Sequence, residues 1–584
     1  MKTFINEISN IISEKFEQCG YDKEYGKAIV SNRPDLCEFQ CNGALAAAKK
    51  YKKAPRAIAT EVVEALNSNE VFEKLTIEGP GFININIAND FLNKYINYMY
   101  SDKKCGCEET SNPKKIVVDY GGANVAKPLH VGHLRSAIIG ESIKRIAKFL
   151  GNEVIGDVHL GDWGLQMGMV ISELKRRQPG LTYFDSNFKG EYPKESPITI
   201  DELEEMYPYA SKLAKSDEKA MEEAKEATVE LQNGRPGYMA LWKHILNISV
   251  ADLKKNYGEL NVNFELWKGE SDANNYIPDM VDYLKKNNYA HTSQGALVVD
   301  VAREDDKSPV PPFLVLKSDG AALYGTTDLA TIVQRVQDYS PDEIIYLADK
   351  RQSMHFEQLF RAAKMTKIAG EDLKLQFVGF GTMNGKDGKP FKTREGGVMR
   401  LQDLISIIKS AVKTKLDESK TIKEDEVEEV CRKVGLSALK YADLSNQPTK
   451  DYVFDIDRFA SFEGSTGPYI LYTVVRIKSI LAKVAKADDD KILSPYSDTE
   501  RKLMLQLVKF SEMVELSYNN KLPNKICEYI YDLSNAFNKF YANNKIVTEE
   551  DLQKQASWIN LLNLTQKVLT TSLDLLGLET CERM

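Results

Sequence analysis

The first part of the chain combines helical spacing of apolar residues with one strongly alternating segment. The opening residues read as an amphipathic helix. Further on, Ile83, Ile85 and Ile87 alternate with asparagine, which is typical of a half-buried strand. The polar stretch 101–115 that follows has the composition of a linker. The first unit is therefore predicted to span residues 1–110.

A different pattern begins with the β-branched run 116–119, which leads into a glycine-rich loop. Apolar residues then recur at helical spacing from about 134 to 150, and Gly151 is typical of a helix stop. A second strand is expected near residues 154–158. This order of strand, loop, helix and strand predicts the opening of a parallel sheet.

Charged helical patterning at about 168–290 interrupts this domain, and we interpret it as an insertion. Strand-like segments return at 296–302, 313–317, 343–349 and 375–381, with helices at about 328–338 and 354–366. After about residue 400 the pattern is almost entirely helical. Since open α/β sheets bind ligands at strand carboxyl ends, we expect the polar residues after these strands to line one site.

Composition narrows the class of protein without fixing it. The 584 residues are 43% hydrophobic and 28% charged, which is an ordinary globular balance. No run of about 18 apolar residues occurs and the early residues carry acids, so we expect no membrane span, no signal peptide and a cytosolic protein. The net charge of −8 does not indicate nucleic-acid binding, although a basic cluster can act locally. The cluster at residues 49–56 fits either RNA contact or a solvated helix end.

The eight cysteines are scattered, and we expect them to be reduced. The spacings Cys37-x3-Cys41 and Cys105-x-Cys107 differ from the C-x2-C of zinc ribbons. We therefore expect no metal site built from protein ligands.

The strongest chemical signal is His130-Val131-Gly132-His133, between a predicted strand and a helix. Helix starts favour phosphate through backbone N–H groups and the helix dipole. The imidazoles can donate to phosphoryl charge, and Gly132 removes a side chain where a nucleotide could approach. The alternative is a pair of surface histidines that cap a helix. The loop lacks the P-loop and dinucleotide-binding glycine patterns.

The segment DYGGANVAKPLHVGHLRSAIIGE resembles the HIGH-type signature of class I aminoacyl-tRNA synthetases, in the form of the arginyl family. The segments HLGDWGLQMG, LYGTTDLATI, GKPFKTREGGVMRL, FEGSTGPYILYTVVRIKSIL and LLGLETCERM resemble the same family, as does RPDLCEFQCNGALAAAKK. The resemblance implies a Rossmann-type parallel-sheet catalytic domain with a helical insertion, a small α+β N-terminal domain and an all-α C-terminal domain. The corresponding ranges are 111–380 for the catalytic domain, 381–462 for a KMSKS-like loop and stem-contact region, and 463–584 for the anticodon-binding domain.

The resemblance also implies an arginine site. A guanidinium is best bound by carboxylates in a fixed fork. In the family, residues matching Tyr324, Asp328 and Asp119 contact or line the side-chain pocket, and those matching Asn124 and Gln352 hold the α-amino and carboxylate end. From the residues alone, Asp328 fits a helix N-cap equally well.

For ATP, the resemblance implies binding by His130, Gly132 and His133. The family's KMSKS loop corresponds to Lys389-Pro-Phe-Lys392-Thr, in which three of five positions depart from the signature. Arginyl enzymes with such a loop have a lysine just before the histidine motif, and this chain resembles them in having Lys127 at that position. The division of labour between Lys127 and Lys392 stays open.

The partners that the resemblance implies are tRNA for arginine, L-arginine and ATP with Mg²⁺. It implies no bound prosthetic group, and it implies that the protein is a monomer. Candidate RNA contacts are Tyr469, Tyr472 and Arg476 in the C-terminal domain and Lys49 and Lys50 in the N-terminal one; the tyrosines fit a helix core equally well. Three alternatives are a small-metabolite nucleotidyltransferase, a class I synthetase for another amino acid, and a non-catalytic relative that binds tRNA. The length of the chain disfavours the first alternative, the acidic pocket residues disfavour the second, and the intact histidines disfavour the third.

Overall fold

The structure is a computed structural model that describes residues 3–389, 399–417, 423–484 and 491–584. It opens with a four-stranded antiparallel sheet in the order β1-β2-β4-β3, against which helices pack. The strands are β1 (Ala28–Val30), β2 (Phe39–Cys41), β3 (Phe72–Glu78) and β4 (Phe82–Ile87), and the helices are α1 (Phe4–Gln18), α2 (Gly43–Tyr51), α3 (Pro55–Leu66) and α4 (Asn89–Ser101).

Strand β4 has a different environment from the one its pattern predicts. Ile83, Ile85 and Ile87 are buried as expected, but Asn84 is buried as well. The reason is the strand's central position between β2 and β3, where Asn84 accepts a hydrogen bond from Gln40 at 2.8 Å. A hydrogen-bonded amide can be buried without a large desolvation cost.

The second part of the chain begins with a parallel unit. Strand β5 (Lys115–Asp119) is followed by α5 (Val131–Phe149), β6 (Glu153–Asp157) and α6 (Leu165–Arg177). The predicted stop is confirmed: Gly151 has φ +88°, and the N–H of Asn152 donates to the carbonyl of Ala147, which completes a Schellman-type end.

The segment predicted as an insertion, at about residues 168–290, is helical, and a small separate sheet follows it. Its helices are α7 (Ile200–Ser216), α8 (Glu218–Gln232), α9 (Pro236–Glu259), α10 (Glu270–Ala273) and α11 (Ile277–Lys286). Strands β7 (His291–Ser293), β8 (Ala296–Val299) and β9 (Phe313–Leu316) form an antiparallel sheet. The prediction that the segments at 296–302 and 313–317 belong to the parallel sheet is therefore wrong. Gln294 and Gly295 both have positive φ, which turns the chain into a hairpin after β7.

The second half of the parallel sheet follows. Helix α12 (Tyr324–Tyr339) precedes β10 (Glu343–Asp349), α13 (Ser353–Met365) and β11 (Lys374–Phe380). The sheet order is β11-β10-β5-β6, with all neighbours parallel. Their Val- and Ile-rich sequences suit burial on both faces.

The rest of the described chain is mainly helical. A short strand β12 (Met383–Asn384) pairs with β13 (Tyr452–Val453). The helices are α14 (Leu401–Asp417), α15 (Val427–Leu444), α16 (Ile456–Phe459), α17 (Gly467–Leu481), α18 (Asp498–Leu507), α19 (Phe510–Asn520), α20 (Asn524–Asn543) and α21 (Leu552–Leu575). Among the described residues, none of the helices is both long and apolar enough to cross a membrane.

The last turn of α21 is fastened to helix α5, which follows the histidine turn. Ser142 Oγ donates to the carbonyl of Leu575 at 2.9 Å, and Arg145 binds the Asp574 carboxylate at 2.7 Å. The buried Lys440 donates to the carbonyls of Leu260 and Gly577. The C-terminal domain and the domain of the parallel sheet are thus tied through α5, the helix nearest the predicted site.

Candidate active site

The two histidines are held by the backbone that carries them. His130 precedes helix α5, and its Nδ1 accepts from the N–H of Gly132 at 3.0 Å. His133 Nδ1 accepts from the N–H of His130 at 3.1 Å. The ring centroids lie 3.9 Å apart at an interplanar angle of 34°. Because each Nδ1 is an acceptor, the proton of each neutral ring is assigned to Nε2, and the pair offers two adjacent N–H donors.

Both rings are held in the neutral form. Burial lowers the pKa of His133 to about 3, and the charge of Lys127, like that of His130 when it is protonated, acts in the same direction. Burial and the charge of Lys127 also lower the pKa of His130. A neutral imidazole can still donate a hydrogen bond to charge that develops on a phosphoryl oxygen. The capping alternative and the chemical interpretation are therefore compatible, since His130 caps α5 with Nδ1 and keeps Nε2 as a donor.

The backbone N–H groups at this helix start donate to atoms of the protein itself, whereas the sequence predicted that they would be available to a phosphate. Those of residues 130–133 donate to His133 Nδ1, the Met399 carbonyl, His130 Nδ1 and the His130 carbonyl. Gly132 also has a different role, because a Cβ there would lie 2.8 Å from His130 Cε1. The glycine makes room for the His130 ring, and imidazole groups are the donors that remain for a ligand.

A cavity of about 470 Å³ lies beside these histidines, at the carboxyl ends of β5, β10 and β11. Its volume is in the range of small-molecule sites. Four of the predicted residues line it: His130, Gly132, His133 and Gln352. The position matches the nucleotide site expected at the switch point of an open α/β sheet.

Asp119, at the end of β5, is paired with an arginine of the protein. Arg335 Nη2 donates to Asp119 Oδ2 at 2.6 Å and to Asp157 Oδ2 at 2.7 Å. The Arg335 and Asp157 side chains are buried, whereas that of Asp119 is 17% exposed. Buried His159 lies beside the same carboxylates, with its Nδ1 3.8 Å from Asp157 Oδ2. Burial opposes its protonation, but the hydrogen bond to Asp157 and the charge of Asp119 raise the pKa of His159 to about 8, so two carboxylates face two cationic side chains. Arg335 was not among the residues predicted from the sequence.

Asp328 lies in the second turn of α12, and its Oδ2 binds His355 Nε2 at 2.5 Å. The N-cap of this helix is Leu323, so the interpretation of Asp328 as an N-cap is wrong. Tyr324 is the first helical residue and is 73% exposed. Spaced four residues apart, Tyr324 and Asp328 share one face of the helix.

Glu270 adds a carboxylate that sequence reasoning missed. Its N–H donates to the carbonyl of Leu160, which places it beside the loop after β6. Burial raises the pKa of Glu270 to about 7; His159 opposes this shift, and the charges of Asp162 and Asp328 add to it. Glu270 and Asp328 are therefore close enough for their charges to interact. No local sequence pattern identifies Glu270 as a site candidate, because a tertiary contact brings it beside the loop after β6.

Asn124 and Lys127 lie in the loop between β5 and α5. Asn124 pairs with Gly161, where a Cβ would lie only 2.3 Å from Asn124 Oδ1, so the loops after β5 and β6 touch. Lys127 Nζ lies 4.8 Å from the centroid of the Tyr207 ring. Lys389 lies in an exposed turn after β12, where its N–H donates to Asp387. Lys392 lies outside the described residues.

The basic residues of the N-terminal domain are partly engaged. Lys49 and Lys50 are exposed near the end of α2, and Lys50 is paired with Asp22. Lys53 is paired with Glu61. Exposed pairs of this kind are weak, so the cations can exchange partners for phosphate.

The C-terminal candidates divide into two kinds. Tyr469 is half-buried, and its hydroxyl donates to Asn535 at 2.7 Å, which suits support of the fold. Tyr472 is 38% exposed, and Arg476 stacks on its ring at 4.7 Å. Tyr541 lies 6.0 Å from the same guanidinium. Tyr472, Arg476 and Tyr541 thus form an exposed aromatic and cationic surface on α17 and α20.

Neutral paired histidines beside a cavity at the carboxyl ends of the strands, at the start of the helix that follows the first strand of a parallel sheet, place this fold among the class I aminoacyl-tRNA synthetases. Sequence comparison agrees, since residues 95–456 match the family described as tRNA synthetases class I (R), catalytic domain. Residues 6–87 match the arginyl tRNA synthetase N terminal domain, and residues 470–584 match the DALR anticodon binding domain. The chain belongs to the arginyl-tRNA synthetase family.

Individual relatives resemble the chain over its whole length. It is 67% identical to the arginine–tRNA ligase of Alkaliphilus oremlandii (strain OhILAs), over 100% of both chains. It is 56% identical to that of Agathobacter rectalis, again over 100% of both. The arginyl-tRNA synthetase of Plasmodium falciparum superposes with a TM-score of 0.82 at 27% identity, covering 100% of each chain. The arginyl-tRNA synthetase of Thermus thermophilus superposes with a TM-score of 0.80 at 23% identity, again covering 100% of each chain. At this identity the similarity is one of fold.

Proposed function

We propose that this protein activates L-arginine with ATP and transfers the arginyl group to the 3′-terminal adenosine of tRNA for arginine. The observation that carries the proposal is the histidine-lined cavity at the carboxyl ends of β5, β10 and β11, which suits a nucleotide. The carboxylates Asp119, Glu270 and Asp328 of the same domain are available to bind a cationic side chain. Membership of the arginyl family supports the same activity.

In the first step, an arginine carboxylate oxygen attacks the α-phosphorus of ATP. The bond to the bridging oxygen breaks, and arginyl-adenylate and pyrophosphate form. His130 and His133 donate from Nε2 to phosphoryl oxygens, and Lys127, Lys389 and Lys392 supply cations for the triphosphate. Catalysis rests on positioning and electrostatic stabilisation.

The amino acid is held at both ends. Asp119, Asp328 and Glu270 bind the guanidinium, with Tyr324 covering the pocket, because carboxylates provide charge-assisted hydrogen bonds to its planar fork. Asn124 and Gln352 hold the α-amino and carboxylate groups in the family's arrangement, which orients the carboxylate toward ATP.

In the second step, the 2′-hydroxyl of the terminal ribose attacks the arginyl carbonyl carbon, and AMP leaves. Tyr472 and Arg476 receive unstacked bases of the tRNA, since stacking on aromatic and guanidinium planes is common in RNA recognition. Tyr469 supports that surface through its hydrogen bond to Asn535. Lys49 and Lys50 contact phosphates of the tRNA elbow.

Mg²⁺ is expected to arrive with ATP. Asp349 is a carboxylate of the nucleotide cavity, but both its oxygens already bind Arg351. This arrangement suits a cation coordinated mainly by phosphate oxygens and water. The domain ranges 1–110, 111–380, 381–462 and 463–584, a monomeric state and a cytosolic location belong to the same proposal.

The test is ATP–pyrophosphate exchange with each of the twenty amino acids, with and without tRNA. Exchange with arginine alone, appearing once tRNA is added and lost in His133→Ala, is the expected result. A folded protein that shows no exchange with arginine under either condition contradicts the proposal. Exchange with a different amino acid would favour a class I synthetase of other specificity.

A further inference from the structure

Helix α7 of the insertion contacts two cationic residues that flank the nucleotide site. Lys127 Nζ lies 4.8 Å from the centroid of the Tyr207 ring. One turn earlier on the same helix, Glu204 Oε2 accepts from Arg400 Nη1 at 2.8 Å. Tyr207 and Glu204 are both half-buried, so the helix presents them at the edge of the site.

The two cationic residues belong to segments that are joined by backbone hydrogen bonds. The N–H of Val131 donates to the carbonyl of Met399 at 3.2 Å, and the N–H of Leu401 donates to that of Leu129 at 2.9 Å. The segment 399–401 is therefore paired with the turn that carries the histidines, and α7 is attached to both sides of this pair.

The contact with Tyr207 differs in kind from an ion pair. A lysine has a flexible four-carbon stem, and an unsupported ammonium moves freely in water. An aromatic face attracts the cation without neutralising it, and it leaves the N–H donors that point away from the ring available. The ammonium of Lys127 remains close enough to His130 and His133 to lower the pKa of both rings. Lys127 is thus localised with its charge available.

We propose that Tyr207 is a positioning residue for the activation step, because its ring keeps the Lys127 ammonium beside the paired histidines, where the triphosphate binds. This inference rests on the proposed role of Lys127 in binding the triphosphate. The phenol hydroxyl has no part in it, so a phenylalanine serves equally well.

The test is a double-mutant cycle measured by arginine-dependent ATP–pyrophosphate exchange. Tyr207→Leu should lower kcat/KM for ATP about 2- to 30-fold, the range expected for loss of a cation–π contact. Tyr207→Phe keeps the ring face and should stay within about twofold of the unmodified protein. In a Lys127→Met background, Tyr207→Leu should cause no further loss, because the partner is already absent.

The possible outcomes separate the two proposals. If Lys127→Met leaves exchange unchanged, the role of Lys127 fails and the inference fails with it. If Lys127→Met is impaired but Tyr207→Leu is not, the positioning role alone is refuted. An equal loss from Tyr207→Leu in both backgrounds, or an equal loss in Tyr207→Phe, also refutes it, since the ring would then act through packing or its hydroxyl. Thermal melting of each variant identifies any that is not folded.

Discussion

Substitution of Gly132 by alanine places one methyl group against a histidine of the active site. The new Cβ would lie 2.8 Å from His130 Cε1 and 3.0 Å from Nδ1. To reach an ordinary contact of 3.4 Å, the ring must retreat from 2.8 Å, a displacement of about 0.6 Å. The retreat weakens the 3.0 Å hydrogen bond from the Gly132 N–H and moves the Nε2 donor away from the phosphate position.

The effects on stability and on rate differ in size. Loss of the cap costs about 1 kcal/mol, and the higher helix propensity of alanine returns about 1 kcal/mol. The free energy of unfolding therefore changes little. A donor misplaced by 1 Å can cost about a hundredfold in rate, so a smaller shift is expected to cost about ten- to a hundredfold. That corresponds to an increase of about 1.4 to 2.7 kcal/mol in the activation free energy.

The assay is ATP–pyrophosphate exchange at saturating arginine and tRNA, with thermal melting of the same samples. Gly258→Ala is the matched control, because Gly258 also lies in a helix and a Cβ there meets no atom within 4 Å. We expect Gly258→Ala to retain full activity. Activity of Gly132→Ala within about twofold of the unmodified protein would refute the argument that the His130 position depends on this glycine.

Three further predictions concern ionisable side chains. Asp328→Asn should raise KM for arginine at least about thirtyfold with little change in KM for ATP, because one carboxylate of the guanidinium pocket is lost; equal changes in both constants would contradict this. Because the pKa of Glu270 is raised to about 7, kcat/KM for arginine should increase from about pH 6 to pH 8 as the carboxylate ionises. The Glu270→Gln variant should show a flatter pH profile. An unchanged profile in the variant would exclude Glu270 as the titrating group. Burial lowers the pKa of Lys440 from 10.5 to about 7, so the unfolded chain binds more protons between these values, and stability should increase with pH by up to about 1.4 kcal/mol per unit. Thermal unfolding at about pH 7 and pH 9 should show a smaller increase in Lys440→Met than in the unmodified protein, and equal increases would contradict the assignment.

Local sequence was sufficient for the elements around the histidine turn. The β-branched run gave strand β5, and Gly151 ends helix α5 through its positive φ. These features depend on backbone conformations that single residues favour, and neighbouring residues along the chain supply them. Helix α5 begins at Val131, whereas the apolar pattern predicted a start at about residue 134. The helix starts earlier because His130 supplies the cap with a ring nitrogen.

The buried arginine Arg335 shows where a local signal existed but was not used. It follows Ile332 by three residues on the buried face of α12, a spacing otherwise taken by apolar side chains. An arginine at such a position requires buried carboxylate partners. The pattern could have predicted a buried ion pair, but not that Asp119 and Asp157 form it, because they come from separate strands.

The sequence by itself determined the family, the parallel-sheet domain and the positions of the histidines, because these depend on periodicity, turn residues and motifs that are contiguous in the chain. The tertiary structure alone decided which ring nitrogen donates, that the helix-start N–H groups are already satisfied, that Glu270 lies near Asp328 and that Tyr207 contacts Lys127. The physical reason is that hydrogen-bond satisfaction, burial and charge balance depend on atoms brought together from distant segments. Such contacts leave no periodic trace in any one segment.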